Sequence, residues 1–439
     1  MKKLYVKVYG CQMSEYDAKK TADVLMQDGN ITAVNLAQSA DIIVLITCSI
    51  REKAQEKLFS DLGRYRRLKR ENADLIIAVG GCVASQEGVE ILKRAPFVNI
   101  IFGPQTLHRL PIMYKEFLAT GKPVIDISFP EIEKFDHLPL AKIEESTADI
   151  SIMEGCNNFC SYCIVPYVRG KEISRPVTDI LQEINHLSAQ GVQEISLLGQ
   201  NVNNYLGRST DNTIYDLADL IRLIAEIENI KRIRFVTSHP KSFSLKQIQM
   251  FSDVTKLVNH LHLPVQSGSD KILTRMCRGY TICEYKDKIA RLKSIRPDIS
   301  VSSDFIVAFP GETDADFNDT LQLVSDIVFD TSFSFIYSAR PGTPAAKLRD
   351  DIPLEVKKER LQVLQKLLNI NSKKISNAMV GKIEKVLLTG KAKKNDKQLT
   401  GRTENNRVVN CIAPESLINK FVDIKITKVL PNSLLGELV

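Results

Sequence analysis

No stretch of the 439 residues approaches the roughly 18 uncharged apolar residues that a membrane-spanning helix requires. An integral helical membrane protein is thereby excluded, and no membrane partner is expected. The opening run "MKKLYVKVYGCQ" has two lysines but no apolar core of the kind a secretion signal carries. It reads as a strand, and the cytoplasm is the expected compartment. Tryptophan is absent, and neither internal repeats nor low-complexity tracts occur. The net charge of +7 is too small to imply a nucleic-acid partner by itself. What remains is 44% hydrophobic and 25% charged, enough for two or three globular domains.

Cysteine is present nine times, at positions 11, 48, 82, 156, 160, 163, 277, 283 and 411. An odd number in a long chain without an export signal does not describe a disulfide framework; metal ligation or catalysis is the expected use. Three of the nine crowd into "GCNNFCSYCIVPYVRG", residues 155–170, as Cys156, Cys160 and Cys163. Zinc sites of Cys and His close with four ligands, and this stretch has three thiols and no histidine. A four-iron cluster also takes four ligands. Three thiolates leave one iron open, so the deficit points to chemistry rather than scaffolding. Tyr162 lies between two of them, placed either to pack against an occupant of that iron or simply within the loop.

Residues 1–145 alternate strand-like runs ("LYVKVYG", "DIIVLITC", "DLIIAVGGC") with helix-like ones, among them "SEYDAKKTADVLMQDG", with Ser14 as cap, and "REKAQEKLFSDLGRYRRLKR". Apolar strands between helices predict a parallel sheet buried on both faces. Cys11, Cys48 and Cys82 each follow such a strand. In an open parallel sheet these positions share one edge, where ligands bind. Residues 146–372 continue the alternation for about six units, which suits a barrel or partial barrel with its site at the carboxyl ends of the strands. Residues 373–439 change to short β-like runs separated by turns, a small antiparallel barrel. This last seventh carries a net +5: 11 Lys and Arg against 6 Asp and Glu within 377–439.

The Cys-x3-Cys-x2-Cys loop after a first barrel strand resembles the radical S-adenosylmethionine enzymes. In them the open iron binds S-adenosylmethionine, and reduction yields a 5′-deoxyadenosyl radical. Together with an upstream three-cysteine domain and a carboxyl-terminal β-barrel of the TRAM type, the chain resembles the methylthiotransferases nearly throughout. "YGCQMSEYDA", "TCSIREKAQEK", "GGCVASQEG", "LLGQNVNNY", "HLPVQSGSD", "DFIVAFPGET", "FSFIYSARPGTPAA" and "GRTENNRVVN" occur in order. The resemblance implies an α/β fold: an N-terminal methylthiotransferase domain (1–145), a radical (β/α)6 partial barrel (146–372) and an RNA-binding TRAM barrel (373–439). It implies two 4Fe–4S clusters, one on Cys11, Cys48 and Cys82 and one on Cys156, Cys160 and Cys163, with S-adenosylmethionine on the second. The implied reaction places a methylthio group on C2 of an N6-isopentenyladenosine beside a tRNA anticodon. The barrel cluster would supply the radical and the N-terminal cluster the sulfur.

For S-adenosylmethionine, Gly199, Gln200 and Asn201 follow a strand and resemble the stretch whose backbone holds the cofactor's amino group, and Ser238, Gln266 and Asp304 lie at other strand ends, facing the expected site. His239, "FPGET" (309–313) and Arg340 are further candidates, with a capping histidine, a tight turn before a helix and a salt bridge as their ordinary alternatives. Basic residues attract RNA phosphates. Lys393, Arg402 and Arg407 in the +5 tail are the expected RNA contacts. Cys277, Cys283 and Cys411 read as packing residues. Three positions depart from the family pattern: Ile46 in place of Asn, Ala339 in place of Pro, and Cys411 in place of an aromatic. Ile46 lies two residues from Cys48, where it would alter that site's polar surroundings. The expected partners are an isopentenylated tRNA and an electron donor such as flavodoxin; a monomer is the default. Rival readings are a methylthiotransferase for threonylcarbamoyladenosine or for a ribosomal protein, and a non-catalytic iron–sulfur RNA-binding protein.

Overall fold

The first 126 residues build one parallel sheet. In the computed structural model, which describes residues 1–49, 52–130, 133–136, 138–139 and 145–439, its strands are β1 (Lys2–Val8), β2 (Ile31–Ala33), β3 (Ile42–Thr47), β4 (Ile76–Gly81), β5 (Ile100–Phe102) and β6 (Val124–Asp126). Their order across the sheet is β2-β1-β3-β4-β5-β6, and every pair is parallel. β3 and β4 are buried along their whole length, because helices cover both faces. Residues 50 and 51 of the "TCSIREKAQEK" motif, and 140–144 beside the expected boundary at 145, lie outside the described residues.

Helix α1 (Gln12–Met26) begins two residues before the serine expected to cap it, with Cys11 at the N-cap. Ser14 is inside the first turn, fully buried, its Oγ 3.6 Å from Cys11 Sγ. Its hydroxyl is committed to the thiol rather than to the helix end. Ile46 points into the apolar core with Leu4, Val44 and Ala78, so it changes packing rather than polarity around Cys48.

The second unit is a partial barrel of parallel strands: β7 (Thr147–Ser151), then Glu194–Leu198, Arg232–Phe235, His260–His262, the broken strand Ser300–Ser302 and Asp304–Val307, and Phe333–Ile336. Strand alternation divides its side chains. Ile195, Leu197, Ile233, Phe235, Leu261, Val301, Phe305 and Val307 pack outward under the helices. Their neighbours face the lumen, which is largely polar: Ser302 Oγ lies 3.0 Å from His260 Nε2 and 2.9 Å from His262 Nδ1.

Residues 383–438 close a five-stranded barrel. It seals the amino-terminal end of the partial barrel. Arg232 donates to the carbonyls of Arg402 (3.0 Å) and Lys385 (2.9 Å), and Arg234 to those of Thr403 and Glu404 (both 2.6 Å). Glu194 accepts from both arginines. Arg407 grips buried Asp330 with both terminal nitrogens, at 2.5 and 2.6 Å. This corrects one expectation: Arg407 is an internal strut, not a surface residue awaiting phosphate. Lys393 and Arg402 are exposed. Cys411 packs in the small barrel's core, whereas Cys277 and Cys283 are exposed, against their reading as packing residues.

Breaking a buried pair leaves an uncompensated charge, so Arg407→Met should destabilise the chain by about 3–5 kcal/mol. Arg407→Met with Asp330→Leu should recover most of that loss. Denaturant titration of the wild type and both variants measures it; equal loss in the single and double variants would deny the strut.

Candidate active site between two cysteine triads

β1, β3 and β4 are adjacent in the sheet, and Cys11, Cys48 and Cys82 follow their carboxyl ends. Positions 71 residues apart in sequence therefore meet at one edge. Cys11 and Cys48 Sγ stand 3.9 Å apart. The Cys48 hydrogen bond, with help from the Arg169 charge, lowers the Cys11 thiol to about 5 despite burial. Burial raises Cys82 above the ordinary thiol value, while Arg169 pulls it back.

The second triad lies on the loop that leaves β7 and the short strand Met153–Glu154. Gly155 enters it with φ +76°; a Cβ there would stand 2.0 Å from the Lys171 carbonyl oxygen. Its N–H donates to Gln200 Oε1 at 2.6 Å, so this predicted cofactor residue spends its side chain on the loop. Two donors converge on Cys160 Sγ. Arg278 Nη1 is 3.4 Å away and His239 Nε2 3.9 Å. His239 Nδ1 accepts from Lys241 N, leaving the proton on Nε2. Burial, then the Arg278 charge, lowers His239 to about 2, so it is a neutral donor. It is thus both cap and sulfur contact. Burial and neighbouring Cys160 push Cys163 up to about 12.

The two triads face one another. Cys82 packs with Ile164 and Val168 of the barrel loop, and Cys11 with Leu198 and Val236 at barrel strand ends. Arg169, six residues past Cys163, donates Nε to Cys82 Sγ at 3.3 Å and Nη2 to Asp17 Oδ2 at 2.5 Å. Glu154 lies 3.6 Å from its Nη1, and buried Lys134 pairs with both acids. The sequence reading missed Arg169 and Arg278. Neither spacing nor composition marks them, because their partners are 87 and 118 residues away.

The chain's own atoms fit the expected cofactors. Among the described residues no three metal-ligating groups close to the mutual distances of one ion's shell. A cluster asks for less closeness, since each thiolate binds a different iron. The thiols of Cys82, Cys156 and Cys163, which burial raises, would be held deprotonated by a cationic iron centre, and that of Cys11 is already lowered. For S-adenosylmethionine, both side-chain amide atoms of Asn201 and the Ser238 Oγ are buried without a partner. The segments bearing them are joined: Val202 N donates to Thr237 O, and Asn203 exchanges hydrogen bonds with the His239 backbone. Gly199 admits no Cβ, which would meet Met153 at 2.5 Å. Gln266, with φ +75°, donates its N–H to Asp304 O, and the Asp304 carboxylate lies 3.6 Å from His262. Tyr280 joins these two groups, its ring against His239 and its hydroxyl on Val265 O. "FPGET" is a turn whose Thr313 caps the helix Asp314–Ile327. Arg340 is half-buried beyond the last barrel strand. Tyr162 packs into an apolar cluster with Ile272, Phe309 and Tyr337.

Residues 150–324 match the radical SAM superfamily, 3–103 the uncharacterized protein family UPF0004 and 377–439 the TRAM domain. The tRNA-2-methylthio-N(6)-dimethylallyladenosine synthase of Legionella pneumophila (strain Corby) is 59% identical over 439 residues, all of this chain and 98% of the relative. That of Cellvibrio japonicus is 58% identical over 440 residues, all of this chain and 96% of the relative. The chain belongs to the tRNA-2-methylthio-N(6)-dimethylallyladenosine synthase family. It is therefore a radical S-adenosylmethionine methylthiotransferase, of a family that uses 4Fe–4S clusters and S-adenosylmethionine. Among solved structures, the fold is similar to the radical methyltransferase TsrM from Kitasatospora setae (TM-score 0.58, 12% identity, 79% of this chain and 77% of that one). It also resembles OxsB, a cobalamin-dependent radical enzyme (TM-score 0.54, 14% identity, 84% and 56%). At such identity these show the fold alone.

Gly155→Ala should leave the N-terminal triad intact and deprive the barrel triad of its cluster. Reconstituted protein should then carry about half the wild-type iron, four atoms instead of eight. Wild-type iron content in this variant would mean that the loop tolerates the Cβ.

Proposed function

We propose that this chain methylthiolates C2 of N6-isopentenyladenosine in tRNA by a division of labour between its triads, Cys156, Cys160 and Cys163 holding the cluster that binds S-adenosylmethionine and Cys11, Cys48 and Cys82 the other. When bound, the first supplies a carbon-centred radical able to take hydrogen from an unactivated C–H bond, and the second supplies sulfur. The observation that carries this reading is the buried Arg169 joining Cys82 to the barrel loop, which turns both triads toward one space. Arg278 and neutral His239 orient Cys160 by donating to its sulfur. Gly199, Gln200, Asn201 and Ser238 line the cofactor's side, the unpartnered polar atoms of Asn201 and Ser238 accepting or donating to it. Gln266 and Asp304 complete that wall.

The substrate's side is different in kind. On the last strand Phe333 and Phe335 are 50% and 42% exposed, although they face a lumen. They stand in register with Asp304 and Ile306. An aromatic stripe in an otherwise polar lumen fits a branched C5 hydrocarbon and offers nothing to a threonylcarbamoyl carboxylate, which favours the isopentenyl substrate over its sibling. Exposed Lys393 and Arg402 contact tRNA phosphate. A flavodoxin-like protein donates the electrons, and the enzyme works as a monomer in the cytoplasm.

Nucleosides from tRNA of a strain deleted for this gene should contain isopentenyladenosine without its methylthio group. Wild type should restore it and Cys160→Ala should not; an unchanged profile would refute the substrate. With anticodon stem–loops, Phe335→Ser should reduce the preference for isopentenyladenosine over unmodified adenosine by about tenfold or more. An unaltered preference would remove Phe335 from the prenyl contact.

A further inference from the structure

The loop between Cys156 and Cys160 carries a residue that the fold does not explain. Phe159 has φ +45°, a left-handed conformation that is an outlier for a bulky side chain, and its ring is 52% exposed. Strain and exposure both cost free energy, and among the described residues Phe159 joins no apolar cluster. Among the described residues its ring partner is the edge of Tyr167, at 6.4 Å and 82°, and Tyr167 is itself 44% exposed. Beside them Phe129, 47% exposed, lies against Gly170, where a Cβ would stand 3.0 Å from its ring. Three aromatic rings thus crowd the surface around one cysteine loop. Cations lie on the segments that flank this loop. Exposed Lys171 follows Gly170. Exposed Arg208 sits on a hairpin that hydrogen-bonds Ser174, with Asn204 at its base bonded to Glu172.

We propose that Phe159 and Tyr167 form a stacking platform for unpaired bases of the tRNA anticodon loop next to the adenine being modified. The inference rests on the tRNA reading and adds where the loop's neighbouring bases sit. An adenine that reaches the barrel lumen must leave its stack, and the bases it abandons need another π-surface. Phe159 stands between two ligands of the barrel triad, so a base stacked there adjoins the place where the lumen opens. Single-stranded RNA is held in this way elsewhere, by aromatic faces rimmed with lysine and arginine. The strained backbone turns the ring outward toward that ligand.

The chain's lack of tryptophan makes the test direct. Phe159→Trp introduces one fluorophore into the reconstituted holoenzyme. Titration with an anticodon stem–loop carrying isopentenyladenosine should quench its emission, and a fully paired RNA of equal charge should not. Phe159→Leu and Tyr167→Ala should each weaken stem–loop binding by about tenfold or more. Iron content equal to wild type is the condition for reading either variant, and Tyr167, outside the triad's spacing, serves should Phe159→Leu lose its cluster. Unquenched emission with wild-type affinity in Tyr167→Ala would overturn the proposal. So would unchanged RNA affinity together with slower reduction by flavodoxin, which would give the patch to the electron donor. Failure of the wild type itself to bind the stem–loop would overturn the tRNA reading first.

Discussion

The structure depends on one buried guanidinium. Arg169 lies between Asp17 of the first helix, Glu154 at the end of the first barrel strand region and the sulfur of Cys82. Charges out of water are costly unless paired and hydrogen-bonded, so this group admits few arrangements of the two domains. Lys134 balances the second negative charge, and Gln105 fixes the Arg169 carbonyl at 2.8 Å. A sheet edge and a barrel mouth are thereby held face to face. Each is an ordinary ligand-binding position of its fold class; their juxtaposition makes a reaction of two parts possible in one space.

The opposite end of the barrel serves the opposite purpose. There arginines 232, 234 and 407 spend their donors on TRAM carbonyls, Glu194 and Asp330, closing the lumen's amino-terminal mouth. Backbone irregularity gathers at the other end. Thr237, Gln266 and Ala308 follow three of the barrel strands with φ of +63°, +75° and +57°. Left-handed backbone at non-glycine residues persists where surroundings over-determine it, and here it re-aims the chain around the lumen's opening. Polar closure below and strained loops above leave the carboxyl end as the barrel's open mouth.

Much of this was legible in the sequence because cysteine position follows strand position. A thiol just past an apolar strand must lie on the sheet's carboxyl edge, and a Cys-x3-Cys-x2-Cys loop can wrap only one face of a cluster. The parallel sheet, the partial barrel and the small barrel followed from hydrophobic period. Long-range pairs were not legible: nothing local marks Arg169 as the partner of Cys82, or Arg278 as that of Cys160. Arg407 misled because basic residues in a turn-rich segment resemble a surface, while its Asp330 partner is 77 residues away. Cys277 and Cys283 misled in the other direction, since burial is the usual fate of free cysteine, but Cys277 lies in a left-handed turn past a helix end and helix phase turns Cys283 outward.

The central claim is that two triads share one space and do separate work. The most direct measurement uses the reconstituted chain with Cys11, Cys48 and Cys82 all changed to alanine, a reductant, S-adenosylmethionine and isopentenylated stem–loop RNA, with 5′-deoxyadenosine and methylthiolated nucleoside quantified together. Continued formation of 5′-deoxyadenosine with no methylthio product is the predicted result. Methylthiolation at the wild-type rate, or loss of 5′-deoxyadenosine in a variant that keeps the barrel triad's iron, would contradict the separation of roles.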